Sequence, residues 1–296
     1  MKTAVFEYGK QTLSEWIKAN LDCEKMVLKG EVYCDQSDGN YYNLLYGYDS
    51  IAKDFHPIEF DITDIHLCDN YGELDNEDAF DYLEDQRPSL IFKMLVNRKY
   101  DTRFVYNGHF VTTPNKKVII HCDSIGQTVE VPSGIETIGC LAFADIREPN
   151  FKVVLPNGII SIDERAFEDS EGMVNINFPD SLKKLGDVAF SGTSLKEVIL
   201  PDDIEEIPEC CFCFVNIEKL HLPANLKAIR ACAFVGLTCD EVRLPQTVEV
   251  IESESIDGFY DTIYIPKTIK EQARDFYYEE GIDDNYEEYK PIIVKY

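Results

Sequence analysis

Apolar and polar positions along the second half of the chain recur with a period near 22 residues. Seven prolines each follow an apolar residue: Val131-Pro132, Leu155-Pro156, Phe178-Pro179, Leu200-Pro201, Leu222-Pro223, Leu244-Pro245 and Ile265-Pro266, at intervals of 24, 23, 22, 22, 22 and 21 residues. Three residues beyond the first six prolines stand Ile135, Ile159, Leu182, Ile204, Leu226 and Val248. Six beyond stand Ile138, Ile162, Leu185, Ile207, Ile229 and Ile251. Eleven beyond stand Phe143, Phe167, Phe190, Phe212, Phe234 and Ile256, each preceded by a small residue: Ala142, Ala166, Ala189, Cys211, Ala233 or Ser255. Self-similarity at such a fixed period marks a repeat architecture. Each unit reads as a short strand, a proline that ends it, a turn carrying aliphatic residues inward, and a single helical turn whose Phe plugs the interior. A unit this small cannot bury its apolar side alone, so coils must stack on a shared core and the two ends must be covered.

Successive strand residues point to opposite faces. Residues one and three before each proline are therefore inward, and those two and four before it face solvent. The first outward column is Glu130, Val154, Asn177, Ile199, His221, Arg243 and Tyr264; the second is Thr128, Lys152, Asn175, Glu197, Lys219, Glu241 and Thr262. Seven strands at one ladder spacing predict a continuous face on the order of 30 Å long. Exposed Val154, Ile199 and Tyr264 are more apolar than a purely solvated face requires, although β-propensity alone would also place them on a sheet.

The cassette Leu155-Pro156-Asn157-Gly158-Ile159-Ile160-Ser161-Ile162-Asp163-Glu164-Arg165-Ala166-Phe167 resembles the BspA-type leucine-rich repeat. Its units read strand-Leu-Pro, then an Ile before a short acidic turn, then Ala-Phe. Clear repeats cover about half the chain. The family often places Cys three residues after the Phe, whereas that column here holds Ile146, Ser170, Thr193, Val215 and Leu237. The resemblance implies an α/β, leucine-rich-repeat right-handed solenoid, short strand plus helical turn per coil, with an α+β N-terminal cap and a C-terminal helical cap. It also implies a non-enzymatic binding scaffold that recognises protein or glycan, as in surface adhesion. The expected contact residues are Val154, Asn177, Ile199, His221, Arg243 and Tyr264, with Lys152, Asn175, Glu197, Lys219 and Glu241. Two other classes stand beside this one: a structural or self-associating subunit, and an enzyme housed in the first hundred residues.

The ends follow other patterns. Thr12 and Glu15 have capping-box spacing and Leu13, Trp16, Ile17 and Leu21 form one stripe, predicting a helix from about 13 to 21. Ile58, Phe60 and Ile62 alternate like a half-buried strand and resemble a degenerate repeat strand. Residues 103–122 alternate around turn signals at Asn107-Gly108 and Pro114-Asn115, similar to the hairpin that precedes such repeats in the family. After Pro266 the Ala-Phe pair is missing. Ile269, Ala273, Phe276 and Tyr277 instead predict a lid helix, and Pro291-Ile292-Ile293-Val294 a final strand. These divisions predict a cap region at 1–102 with room for degenerate repeats, repeats with their leading hairpin at 103–266, and a second cap at 267–296.

A formal net charge of −27 repels nucleic-acid phosphate and anionic lipid surfaces, so neither is an expected partner. No run approaches the length of a membrane span, and the opening Met1-Lys2-Thr3-Ala4-Val5-Phe6-Glu7 meets an acid before an export signal could form. That reading expects the cytoplasm, or the cell surface or secretion if a leader has been removed. The ten cysteines lack the regular spacing of a secreted disulfide framework.

Three constellations could carry chemistry. Cys210 and Cys232 each stand nine residues after a proline, so stacking brings them to about 5 Å between Cα atoms, fit for a disulfide or half of a thiolate metal site. The plainer reading is incidental thiols, with Cys211 filling the small-residue column, and no neighbouring His completes a metal site. His121 and Cys122 are adjacent strand residues whose side chains point apart, which precludes a nucleophile and base pair. The acidic stretch Asp69-Asn70-Tyr71-Gly72-Glu73-Leu74-Asp75-Asn76-Glu77-Asp78 does not fit the EF-hand loop and reads as solvated chain entering a helix at Ala79, Phe80 and Leu83. No metal, cofactor or catalytic residue is expected.

Overall fold

A computed structural model describes residues 1–33, 44–45, 47–69, 72–74, 88–122, 126–258, 261–269 and 292–296. They fall into two compact units, Met1–Ser124 and Ile125–Tyr296. The expected lid-helix residues Ala273, Phe276 and Tyr277, the helix at Ala79, Phe80 and Leu83, and most of the acidic stretch lie outside the described residues.

In the first unit, β1 (Thr3–Glu7), β2 (Lys25–Tyr33) and β3 (Glu59–Asp69) pair in parallel. The connection from β1 to β2 carries α1 (Leu13–Ala19). Its capping box is formed in both directions, Thr12 accepting from the Glu15 amide and the Glu15 carboxylate accepting from the Thr12 amide. Leu13, Trp16 and Ile17 are buried, and the Trp16 indole donates to Val5 O at 2.8 Å. The helix stops short of the expected Leu21, which is 54% exposed, because Asn20 closes the last turn by donating back to Ile17 O. A short α2 (Tyr48–Ile51) and the buried α3 (Leu90–Val96) complete the described helices. Phe60 and Ile62 are buried as their alternation predicts, while Ile58 precedes the strand and is exposed. β4 (Gly72–Glu73) folds back on the end of β3. The expected hairpin is present as β5 (Arg103–Tyr106), β6 (Phe110–Thr112) and β7 (Val118–Cys122), antiparallel throughout, with β5 paired to β3.

The second unit is a stack of coils, each contributing two short strands. One series precedes the prolines: β8 (Thr128–Glu130), β10 (Phe151–Val154), β12 (Met173–Ile176), β14 (Glu197–Ile199), β16 (Lys219–His221), β18 (Glu241–Arg243) and β20 (Thr262–Ile265). The other follows them: β9 (Thr137–Ile138), β11 (Ser161–Ile162), β13 (Lys184–Leu185), β15 (Glu206–Ile207), β17 (Ala228–Ile229) and β19 (Val250–Ile251). Every pairing within the two series is parallel. The expected final strand is β21 (Ile292–Lys295), parallel to β20.

The aliphatic columns face inward. Ile135, Ile159, Leu182, Ile204, Leu226 and Val248 are all buried, as are Ile138, Ile162, Ile207 and Ile229 of the second column. The Phe residues form a single file, with ring centroids 4.9 Å apart for Phe143 and Phe167, 5.2 Å for Phe167 and Phe190, 5.1 Å for Phe190 and Phe212, and 5.4 Å for Phe212 and Phe234. Their planes lie within 18° of parallel.

The segment that carries them is not the helical turn that the spacing suggests. Alternate amides fold back within the coil, as Ala142 to Gly139 O and Ala144 to Leu141 O, while those between them reach the next coil. Phe143 donates to Ala166 O, Phe167 to Ala189 O, Phe190 to Cys211 O, Phe212 to Ala233 O and Phe234 to Ser255 O, at 2.8–3.0 Å. Turning every second amide outward requires left-handed backbone nine residues after each proline, where Leu141, Arg165, Val188, Cys210, Cys232 and Glu254 have φ of 51–58°. A helix would satisfy all its amides internally and leave coils joined by side chains alone; these turns make the main chain itself a third ladder. In the column where the family often has Cys, Ser170 adds to it by reaching the preceding coil, whereas Thr193 bonds within its own coil. The buried Ser170 hydroxyl donates to Phe143 O and the Thr193 hydroxyl to Phe190 O.

Two substitutions separate the two contributions. Phe190→Ala empties the middle of the ring stack and should lower unfolding free energy by about 3–5 kcal/mol in urea titration. Val188→Asn places a residue that tolerates left-handed backbone where a β-branched one stands, and should raise stability by roughly 1 kcal/mol.

Candidate binding surface

The outward columns are where the alternation puts them. Glu130, Val154, Asn177, Ile199, His221 and Arg243 are exposed and Tyr264 is half-buried; Thr128, Lys152, Asn175, Glu197, Lys219 and Glu241 are exposed and Thr262 is half-buried. Val154 is 44% and Ile199 46% exposed, both large apolar side chains in water. Cross-strand register sets Lys152 beside Thr128 and Asn175, Ile199 beside His221, and Arg243 beside Tyr264.

Five members of this face are already engaged. Lys219 and Glu197 form an ion pair across β14 and β16. The Arg243 guanidinium lies 3.7 Å from the centroid of the Tyr264 ring and 5.5 Å from that of Tyr296, giving a cation on an aromatic platform. Asn177 departs from the expected free contact residue. In other coils the residue before proline donates to a main-chain carbonyl of the next coil, as Val131 to Val154 O, Leu200 to His221 O and Leu244 to Tyr264 O. Leu155 instead donates to Asn177 Oδ1 and accepts from Asn177 Nδ2, both at 2.8 Å. The register of β10 on β12 slips by one residue ahead of Asn175. The 23-residue interval thus absorbs its extra residue in a bulge, and the Asn177 amide substitutes for the displaced carbonyl.

The face is also not one continuous sheet. It divides into β8-β10-β12, β14-β16 and β18-β20-β21. The second series divides once, between β13 and β15. There Pro208 occupies the position from which Asp163, Arg230 and Glu252 donate to the preceding coil, and proline has no amide hydrogen to give. Both strand ladders are therefore interrupted between the same two coils. The turn ladder spans the junction, through Val188 to Glu209 O, Phe190 to Cys211 O and Gly192 to Cys213 O, with Ser194 bonded to Met173 O. A crevice of about 610 Å³ opens at this seam, lined in part by Lys183, Lys184, Asp203, Glu205, Glu206 and Pro208. The charges around it are largely matched, Lys227 with Glu205 at 2.9 Å and Arg230 with both Glu206 and Glu252 at 2.6 and 2.8 Å.

One residue was missed by column reading. Phe214 is 74% exposed and has φ of 58°, an aromatic ring in water on left-handed backbone. Its column is otherwise marked by Gly192 and Gly236 on either side, both with positive φ. A phenylalanine standing where the other coils place Asp145, Asp169, Gly192 or Gly236 was the available signal, hidden because the coils vary in length just beyond it.

The other candidates resolve individually. His121 is half-buried and its Nδ1 lies 3.4 Å from Nζ of the buried Lys93, while Cys122 is buried on its own account. Glu73, the described carboxylate at the centre of the acidic stretch, accepts from Arg98 at 2.8 Å and contacts His66 Nδ1 at 2.6 Å, which holds it below the usual carboxylate range. Among the described residues no cluster of His, Cys, Asp and Glu is arranged to hold a metal ion. None of the described helices is long and apolar enough to cross a membrane.

Short parallel strands, two to a coil, stacked on aliphatic columns with few helices, define a leucine-rich-repeat protein. Residues 137–265 are a BspA-type leucine-rich repeat region in six copies. No curated protein matches the chain. Among solved structures, the chain is similar to a leucine-rich cell surface protein from Faecalibacterium prausnitzii A2-165, at 17% identity over 54% of each chain with a TM-score of 0.43. It is similar to the pneumococcal vaccine antigen PcpA at 17% identity, over 56% of this chain and 50% of that one, with a TM-score of 0.46. A leucine-rich repeat protein from Eubacterium ventriosum ATCC 27560 is 13% identical over 85% of this chain and 63% of its own, with a TM-score of 0.45. The chain therefore spans between half and two thirds of the length of these structures, and the family assignment rests on the repeat.

Burial pushes the thiols of Cys210, Cys232 and Cys239 up to about 11 and raises that of Cys211. In the unfolded chain thiols ionise near pH 8.5. The unfolded state thus sheds protons first as pH rises, and these groups contribute stability present below about pH 8.5 and lost on approach to pH 11. Urea midpoints in reducing buffer should fall between pH 8 and pH 10, and fall less in a Cys210→Ser, Cys232→Ser variant.

Proposed function

We propose that the chain is a non-enzymatic scaffold that recognises a protein or glycan partner on the solvent side of its repeat strands. The observation that carries this reading is the exposure of Val154 and Ile199 on backbone fixed by the coil ladders, with Arg243, Tyr264 and Tyr296 stacked at one end of the same face. Aromatic residues and arginine are enriched where proteins bind partners, and lysine and acidic residues are depleted there. A rigid extended array suits a large partner more than a small one. Contact residues are assigned to Val154, Ile199, His221, Arg243 and Tyr264, flanked by Lys152, Asn175, Glu197, Lys219 and Glu241, with Asn177 reserved for its structural bond to Leu155. The repeat family to which residues 137–265 belong consists generally of scaffolds without catalysis, and no catalytic residue is assigned. The coils are taken as right-handed, with 103–266 as repeats and leading hairpin and with 1–102 and 267–296 supplying the end covers that an open stack needs.

A structural or self-associating role is the second reading, favoured by β21, whose Ile292 and Ile293 are 64% and 42% exposed. Concentration-dependent light scattering separates a self-associating chain from a monomer.

The binding reading is tested by pull-down with the intact chain beside a triple variant, Ile199→Ser, His221→Ala and Arg243→Ala, and a Phe214→Ser variant. Capture should drop at least tenfold for the triple variant. Retention by the triple variant rejects the strand face, and loss confined to Phe214→Ser moves the contact to the turn column.

A further inference from the structure

Two cysteines at the same place in adjacent coils have a third beside them. Cys210 and Cys232 have nearly identical left-handed backbone, φ of 51° and 54°. The coil ladder runs directly between them, Cys210 donating to Ala231 O at 3.0 Å. Identical conformation one ladder step apart sets their Cα atoms about 5 Å from each other, within the span a disulfide bridges. Cys213 lies in the same turn as Cys210, its amide donating to Cys210 O at 3.1 Å. The Cys210 thiol lies close enough to the thiols of both Cys232 and Cys213 for the groups to influence one another's ionisation. Cys210 and Cys232 are partly open to solvent, whereas Cys213 is 6% exposed and Cys211 fully buried. All four are free thiols.

We propose that Cys210 and Cys232 are an oxidative modification site that closes into a disulfide between adjacent coils when the protein meets a peroxide. The chemistry needs no other co-reactant. A thiolate of the accessible pair attacks one oxygen of hydrogen peroxide, the O–O bond breaks, and a sulfenic acid forms with loss of hydroxide. The neighbouring thiol attacks that sulfur, the S–OH bond breaks and water leaves. Two thiols and one peroxide thus give one disulfide and two waters. Cys213 is excluded as the thiol first oxidised because its burial shields it from the oxidant, and Cys211 because it faces the core; Cys232 is the resolving partner because it stands one ladder step from Cys210 on the same left-handed backbone. The Cys232 thiol also contacts Glu254 Oε2 at 3.8 Å, and burial and the nearby carboxylates hold both thiols in the protonated form at neutral pH. The site therefore responds slowly at pH 7 and accelerates about tenfold per pH unit towards pH 9, as the thiolate fraction grows.

The test uses the full chain treated with hydrogen peroxide, quenched, unfolded and alkylated, with linked peptides mapped by mass spectrometry. Ellman titration in denaturant should find two fewer thiols than the ten of the reduced chain, and the linked peptides should join Cys210 to Cys232. Cys213→Ser should leave that link intact and Cys232→Ser should abolish it, both variants being monitored for folding by circular dichroism. Recovery of Cys210 and Cys232 as separately alkylated thiols, a bond from Cys210 to Cys213, or a link only between two chains would overturn the proposal. So would an oxidation rate that does not change between pH 7 and pH 9.

Discussion

Main-chain amides that leave their own coil to bond the next one set the register on which the second unit depends. A 22-residue loop has too little apolar surface to stand alone, and side-chain packing by itself would tolerate slippage between neighbours. Bonds such as Phe167 to Ala189 O fix each coil to the next at one point only. Once that register holds, the rings of Phe143 through Phe234 are brought face over face, and Ile135, Ile159 and Leu182 meet in one file without further instruction. Left-handed backbone at Leu141, Arg165, Val188 and the equivalent positions is the strain that accompanies this arrangement, offset by hydrogen bonds at both ends of the affected peptides.

Side-chain columns were readable from spacing because burial acts on side-chain type, and type is what a sequence records. The outward and inward sets of the first strand series, the single file of Phe rings and the capping box at Thr12 and Glu15 all follow from that. Backbone direction leaves a fainter trace. Nothing in Glu164-Arg165-Ala166-Phe167 distinguishes a helical turn from two linked turns, because left-handed backbone here is occupied by Arg, Val, Leu and Cys rather than glycine. The bulge between β10 and β12 was legible in principle, in the 23-residue interval and the asparagine that follows it, but only to a reader who asks where each amide goes. Pro208 was visible as a proline outside the repeating set, and its cost to the ladder is stereochemical. Leu21 and Ile58 fell outside their elements because apolar periodicity locates an element better than it locates its ends.

The same ladders shape what the surface can present. Glu197 and Lys219 neutralise each other, and Asn177 is drawn back into the backbone, so much of the polarity on the outer face is spoken for. Beside the exposed Glu130, Lys152, Asn175, His221 and Glu241, the face presents the apolar Val154 and Ile199 and, at Tyr264, an aromatic ring with a resident cation. A chain with a formal net charge of −27 thereby carries a face whose local character differs from its average.

The seam beside Pro208 bears on how the stack comes apart. A column of identical links melts as one cooperative body only while the coupling between neighbours exceeds thermal energy everywhere along it. Where two of three ladders lapse at the same junction, the coupling there is weaker than at every fully laddered step, and coils on either side become separate foldons. Amide exchange in the coils before and after this junction then proceeds with two different opening energies. The molecule would yield to mechanical tension first at this point, giving up the amide bonds of Val188, Phe190 and Gly192 to the next coil while the Phe rings on either side stay in file.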